Sequence, residues 1–435
     1  MSIAVPLLLT GLAASCTLDR AGTGEFAEAA GAGGFAGSVA GSGGTEVQPD
    51  ASLGGTGGTG GSGGSSIGGS AGSTSGGAGG APDAALDTSI DAEPDVEASI
   101  PPDVADEPEA PVPTLCPNSR DIRITAGGSP VSTDYSVFVD FDHAALVNAG
   151  RSQPSGDDVR IVRMSGQAEV DLVRVADPST AWNGGAVRVW FRVREPIAAH
   201  ALDNRYRLCW GADAESPPLD DPSSVFLVWD GFDGGMQDAA WSLSLIGDAT
   251  GTATETNGVL RISGRSGDFW DASDNLFFYG RPASGDFAAE ARVEAFGGAL
   301  DDWAKVGGVM IRQSLERQSR NRTSSPVNGA VAFTNSYRLQ DDTETFEETV
   351  GDYNPIPAYV SLFRLGSASA AHYSVDGLAW TALGPGITFT QPLTDPIALG
   401  IPLATCESSG DGWVEVDWFR VRRLVSSEPV VELLQ

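Results

Sequence analysis

The chain has 435 residues, including 56 Gly, 26 Pro and 10 Trp, and a formal net charge of −32 although only 19% of its residues are charged. That acidity, with no basic segment to release counterions, argues strongly against binding to nucleic acid or to an anionic membrane surface. Lys305 is the only lysine, so a phosphate loop of the Walker type has no suitable place, and four cysteines are too few for a disulfide scaffold.

The first sixteen residues, Met-Ser-Ile-Ala-Val-Pro-Leu-Leu-Leu-Thr-Gly-Leu-Ala-Ala-Ser-Cys, form an apolar run too short to span a bilayer, ending in small residues and Cys16. The run resembles a bacterial lipoprotein signal. The resemblance implies that Cys16 receives the lipid, and Thr17 after it implies sorting to the outer membrane or cell surface. It departs from that family at Ala13, where Leu is usual, and in having no Lys or Arg before the apolar run. An ordinary secretory signal cut near Ala14 is the alternative.

Residues 21 to 119 hold no basic residue, and their only aromatics are Phe26 and Phe35. Such a segment buries too little apolar surface to offset the entropy of ordering, so residues 17–113 are predicted to be a disordered tether. A flexible Gly/Ser/Thr/Ala part runs to about Gly80, and a stiffer, self-repelling Asp/Glu/Pro part runs from Pro82 to Pro113. No strand precedes the glycine repeats and no helix follows them, so they are not phosphate loops.

From Cys116 onward, short runs rich in Val, Ile, Phe, Trp and Arg between Gly, Pro, Asp and Asn predict an all-β fold. Val187, Val189, Phe191 and Val193 alternate with Arg188, Trp190, Arg192 and Arg194, which predicts one core face and one wet face. Phe287, Ala289, Ala291 and Val293 alternate likewise with Glu290, Arg292 and Glu294, and Asp376-Gly377 predicts a two-residue hairpin turn. Pro217, Pro218, Asp220, Asp221 and Pro222 mark the best internal boundary. The expected organisation is a small β domain over 114–222, a β-sandwich over 223–425 and a tail over 426–435.

Residues 134 to 211 resemble the bacterial domain of unknown function 2341 in three places: Val139-Asp140-Phe141-Asp142-His143-Ala144-Ala145-Leu146, Gly156-Asp157-Asp158-Val159-Arg160-Ile161 and Asn204-Arg205-Tyr206-Arg207-Leu208-Cys209-Trp210-Gly211. That family has no assigned activity, and the resemblance implies a module of a surface protein. Residues 225 to 424 resemble a concanavalin A-like lectin/glucanase sandwich (a jelly roll) of the laminin-G and domain of unknown function 1349 type. The supporting residues are Gly258-Val-Leu-Arg-Ile-Ser, Gly285-Asp-Phe, Trp303 to Arg312, Ser374 to Trp380 and the closing strand Trp413 to Val421. The class hosts sugar-binding modules, glucanases and adhesion domains alike, so it does not decide between them.

Glucanases of that class carry Glu-x-Asp followed by a second Glu on one strand. Here Glu415-Val416-Asp417-Trp418-Phe419-Arg420 has Phe419 and Arg420 where the second Glu belongs. Glu290 and Glu294 share a face but stand roughly 13 Å apart along a strand, beyond the roughly 5 to 9.5 Å that glycosidases use. His143, His200 and His372 are scattered, with no zinc spacing. No cofactor is expected. The acidic loops Asp268 to Asp274 and Asp301-Asp302 have ligands suited to calcium, against the simpler reading of solvated loops.

Trp270, Trp303, Arg312, Tyr337 and Trp380 are candidates for contact with a surface polysaccharide, because sugar sites combine aromatic faces with a few polar groups. Core or rim packing is the plainer role for each. The face with Arg188, Trp190, Arg192 and Arg194 is a second candidate, for an acidic polysaccharide. Asn321-Arg-Thr matches a glycosylation sequon incidentally. Export places the cysteines in an oxidising compartment, and with Cys16 lipidated the ends of the first β domain point to a Cys116–Cys209 disulfide. The alternative keeps Cys209 buried and Cys116 as a thiol. The expected function is non-catalytic binding or adhesion to glycan by an exported, lipid-anchored protein; the alternatives are a structural surface module without a small ligand and a carbohydrate-active hydrolase or lyase.

Overall fold

The computed structural model describes residues 115–212, 218–234, 239–326, 333–350 and 356–435. Cys16 and the tether read over 17–113 lie outside them. Among the described residues the structure is all-β apart from two short helices, as the period-two alternation requires, and every strand pairing is antiparallel. No described helix is long and apolar enough to cross a membrane.

The first β part packs two sheets around one core. A five-stranded sheet runs in the order Val430–Leu433, Asn118–Thr125, Leu202–Trp210, Arg160–Ser165, Ala168–Leu172, and a three-stranded sheet runs Ser136–Phe141, Val187–Arg192, Arg174–Ala176. Val187, Val189 and Phe191 from the second meet Ile122, Tyr206 and Leu208 from the first. Cys116, just before Asn118–Thr125, is joined to Cys209 in the adjacent Leu202–Trp210, with Cα atoms 5.0 Å apart.

Residues 426–435 are not a tail. Val430–Leu433 is the edge strand of the first sheet, with Leu433 opposite Ile122 and Val431 opposite Ile124. Alternation explains it: Val431 and Leu433 lie on the face that covers the first core. Glu428 anchors the return by accepting from Tyr135 Oη at 2.6 Å and pairing with Arg422 at 2.8 Å. Deleting residues 426–435 is expected to lower stability by about 3 kcal/mol through Val431 and Leu433 alone. An unchanged urea midpoint would show the strand to be dispensable.

The second β part is a two-sheet sandwich. Its nine-stranded sheet has the spine Thr250–Thr256, Val259–Ser266, Glu407–Arg423, Phe287–Gly298, Ala358–Leu365, Ala368–Ser374, Thr381–Ala382. Its eight-stranded sheet has the spine Phe346–Val350, Phe333–Arg338, Asn321–Pro326, Val309–Arg312, Ile397–Ala404, Leu276–Ala283, Ser242–Ile246. Phe287, Ala289, Ala291 and Val293 point into the core between the sheets, as their alternation predicts. Lys305–Val306 and Val309–Arg312 both pair with Ile397–Ala404. Gly307 and Gly308 between them take φ of +71° and +90°, and a Cβ on Gly308 would stand 2.2 Å from Ser324 O, so only glycine fits this step.

Two local expectations change. Asp376-Gly377 is not a two-residue hairpin: the strands end at Ser374 and resume at Thr381, and the Asp376 carboxylate accepts the N–H groups of Leu378 and Ala379. The side chain organises a longer loop in place of the tight turn. The Arg188–Trp190–Arg192 face is not wet throughout, because Trp190 is 3% exposed. It is covered by Phe226, which follows the short helix Pro222–Val225, and by Arg420 from the sandwich, whose Cζ sits 5.0 Å from the Trp190 ring.

That cover joins the two β parts. Arg420 bonds Asp177 Oδ2 at 2.8 Å and Glu290 Oε2 at 2.6 Å, with all three side chains at most 7% exposed. Trp190 Nε1 donates to the same Asp177 oxygen at 2.8 Å. The described residues of both β parts accordingly lie in one unit.

Candidate functional site on the eight-stranded sheet

One face of the eight-stranded sheet carries the core, through Val309, Ile311 and Phe333. On its other face the register aligns Met310, Thr323, Ser336 and Glu347 in one row across four strands. Val306 faces the core, so Lys305 beside it faces outward onto this row. Lys305 Nζ lies 3.2 Å from Glu347 Oε2 and 3.3 Å from Asp268 Oδ1, and donates to Trp303 O at 3.5 Å. It also stands 5.1 Å from the Phe269 ring and 6.0 Å from the Trp270 ring.

The cluster is sunk but reaches solvent on its acidic side: the side chains of Lys305, Glu347 and Asp268 are 2%, 11% and 17% exposed. Burial alone would push the Lys305 ammonium down, but Asp268 and then Glu347 outweigh it and hold its pKa above the ordinary value, so it stays charged. Ser336 Oγ donates to Glu347 at 3.0 Å. Thr323 Oγ1 and Ser325 Oγ, on the same face, are buried without a hydrogen-bond partner among the described residues. The result is a charged cluster whose two carboxylates reach solvent, over buried hydroxyls and with the Trp270 ring beside it.

Of the five sequence candidates, the structure brings Trp270 to this cluster by its ring and Trp303 by its backbone carbonyl. Arg312 is not a ligand contact. It is 0% exposed and, with Arg338, clamps the equally buried Asp274, at 3.0 and 2.7 Å. Tyr337 lies opposite Arg322, one residue out of step with Ser336, so it points to the other face, where it stacks on Phe346 at 5.6 Å. Trp380 belongs to the loop before Thr381–Ala382 on the other sheet. Asn321 of the sequon is 0% exposed.

The carboxylates weighed on single strands are all engaged on the nine-stranded sheet. Glu415 pairs with Arg261 at 2.5 Å, Asp417 pairs with Arg292, and Glu290 pairs with Arg420. In the loops considered for calcium, Asp268 and Asp274 meet the protein's own cations, and Asp301 Oδ1 accepts the Trp303 N–H at 3.1 Å. Among the described residues, no group of three His, Cys, Asp or Glu is placed to hold a metal.

The first β part assembles Ser152, His143 and Asp158, the residue types of a hydrolytic triad, with the wrong polarity. The Asn183 N–H donates to His143 Nδ1 at 2.9 Å, so the ring proton sits on Nε2, which faces Ser152 Oγ at 2.9 Å. Ser152 in turn donates to Asp158. Burial pushes the His143 pKa down and keeps the ring neutral. The imidazole therefore donates toward the serine where a general base must accept. The trio pins the helix His143–Asn148 to its surroundings.

The described chain is thus an all-β protein with a two-sheet sandwich of the jelly-roll class and a charged cluster on the outer face of one sheet. No protein-family model matches it, and no curated protein matches it. Among solved structures, it is similar to the GH43 protein BlXynB from Bacillus licheniformis, with 16% identity over 56% of this chain and about half (52%) of that chain, at a TM-score of 0.33. It is also similar to a laminarinase from Flavobacterium sp. UMI-01, with 11% identity over 46% of this chain and 100% of that one, at a TM-score of 0.33. A third is a functionally unknown protein from Saccharomyces cerevisiae, with 16% identity over 45% of this chain and 98% of that chain, at a TM-score of 0.33.

Proposed function

We propose that the chain is an exported lipoprotein, anchored through Cys16 to the outer membrane or cell surface, whose sandwich binds glycan without cleaving it. On this reading the first β part is of the domain of unknown function 2341 type and the second of the laminin-G and domain of unknown function 1349 type. The observation that carries the reading is the placement of the Trp270 ring and the Trp303 carbonyl beside Lys305, Asp268 and Glu347. Such a cluster supplies aromatic contact with placed donors and acceptors. Lys305 also supports binding over cleavage, because its ammonium occupies the space between the two carboxylates where a scissile oxygen would have to stand.

Retention of the full chain on a panel of polysaccharides tests the proposal. Trp270→Ala and Trp303→Ala are each expected to weaken the retained interaction about tenfold. Failure to retain any polysaccharide, or full retention by both variants, would overturn it. Cys16→Ser is expected to abolish incorporation of labelled fatty acid.

One observation favours a hydrolase as the second reading. Both carboxylate oxygens touch one ammonium, so the nearest oxygens of Asp268 and Glu347 lie at most about 6.5 Å apart, a bound that admits the roughly 5 to 5.5 Å of retaining glycosidases. Release of reducing ends from a bound polysaccharide, lost in Glu347→Gln, would establish that reading instead.

A further inference from the structure

A cavity of about 150 Å³ on the first β part is lined by Leu172, Val173, Arg192, Arg194 and Ser224. Arg192 is held at its rim by its own bonds: Nε donates to Val225 O at 2.9 Å and Nη2 to Phe226 O at 2.6 Å. The fork is thereby fixed while Nη1 keeps no protein partner among the described residues. Arg194 is exposed, and its guanidinium has no ion pair among the described residues.

This is unusual in a chain of net charge −32. On the same strand, Arg188 is matched by Asp140 in two bonds of 2.9 and 3.0 Å. Around Arg192 the balance differs. Burial pushes its pKa down, Asp134 opposes the fall, and Arg423 and Arg194 add to it. Asp221, the other carboxylate in range, is occupied by Ser223 and Ser224. The site is a local excess of positive charge beside an apolar wall.

We propose that this cavity binds a carboxylate carried on a single sugar ring, a hexuronate residue. The guanidinium groups of Arg192 and Arg194 pair with the carboxylate, a geometry arginine matches better than lysine does. Val173, half-buried at the cavity wall, takes the C–H face of the ring. The volume is half the roughly 300 Å³ at which drug-sized sites begin, which leaves room for one ring. The site is independent of the sandwich cluster. A free sugar acid and the end of an acidic glycan present the same chemistry to it.

Calorimetric titration of the full chain with glucuronate, glucose and a galacturonate tetramer tests the inference. Glucuronate is expected to bind, and glucose is not. Arg194→Gln, at an exposed position that leaves the fold intact, is expected to weaken glucuronate at least about tenfold, as loss of a charge-assisted contact does. Trp270→Ala is expected to leave glucuronate binding unchanged, which separates this site from the sandwich proposal. Binding of monomer and tetramer together assigns the site to glycan ends, and binding of monomer alone assigns it to free sugar acids. Equal binding of glucuronate and glucose, an unaffected Arg194→Gln, or binding of the tetramer alone overturns the single-ring carboxylate site.

Discussion

Replacing Arg420 with alanine is expected to cost about 3 to 5 kcal/mol of folding stability, the range found when one partner of a buried ion pair is removed. Two carboxylates depend on it. Asp177 from the first β part and Glu290 from the sandwich would be left without a counter-charge, at 0% and 7% side-chain exposure. The ring contacts go too, since Arg420 lies 5.0 Å from the Trp190 ring and 4.8 Å from that of Trp418. Urea denaturation at neutral pH measures the loss. Arg420→Met combined with Asp177→Asn and Glu290→Gln is expected to recover much of it, because an uncharged cluster of similar volume leaves no buried charge.

The same cluster fixes a pH dependence. Burial would raise the Asp177 pKa, but Arg420 and the Trp190 N–H outweigh it and hold the value below that of an ordinary carboxylate. A group whose pKa is depressed in the folded state contributes stability above its unfolded value, near pH 4, and that contribution is lost as pH falls through the folded value. The gap between wild type and Arg420→Ala is therefore expected to be widest at neutral pH and to narrow below about pH 4. A gap that stays constant down to pH 2 would place the Arg420 contribution outside this ion pair.

Reducing the Cys116–Cys209 bond, or Cys116→Ser, is expected to remove about 4 to 5 kcal/mol, because the bond closes a loop of 93 residues and restrains the unfolded chain accordingly. Unfolding curves with and without reductant give the value. Peptide mapping without reduction is expected to return Cys116 linked to Cys209 and Cys406 alkylated. Cys406 lies elsewhere, with its thiol 3.8 Å from Trp303 O, so a Cys116–Cys406 peptide would falsify the pairing.

The sequence by itself determined the all-β class and the inward-facing residues of its best strands. Period-two alternation is a local property, and Val187, Val189 and Phe191 could be assigned to a core without knowing which core. Docking decided what local pattern could not. Trp190 shares its alternation phase with Arg188 and Arg192, yet it is buried because Phe226 and Arg420 arrive from 36 and 230 positions away. Nothing local marks residues 430–433 as a strand, because an edge strand of four residues has no signal apart from the partner it pairs with.

The candidate site was legible only in part. Trp270 and Trp303 stood out as aromatics between polar residues, but the charged floor beside them comes from three segments, at Asp268, Lys305 and Glu347. The carboxylates that share one strand, Glu415 and Asp417, lie on the other sheet, paired with Arg261 and Arg292. One signal was available: Lys305 is the chain's only lysine, two residues after Trp303. Only the tertiary structure decided its surroundings, because whether a lone cation is solvated or shared by two half-buried carboxylates depends on which strands lie side by side. That is set by sheet register over the whole sandwich, and no local stretch of sequence contains it.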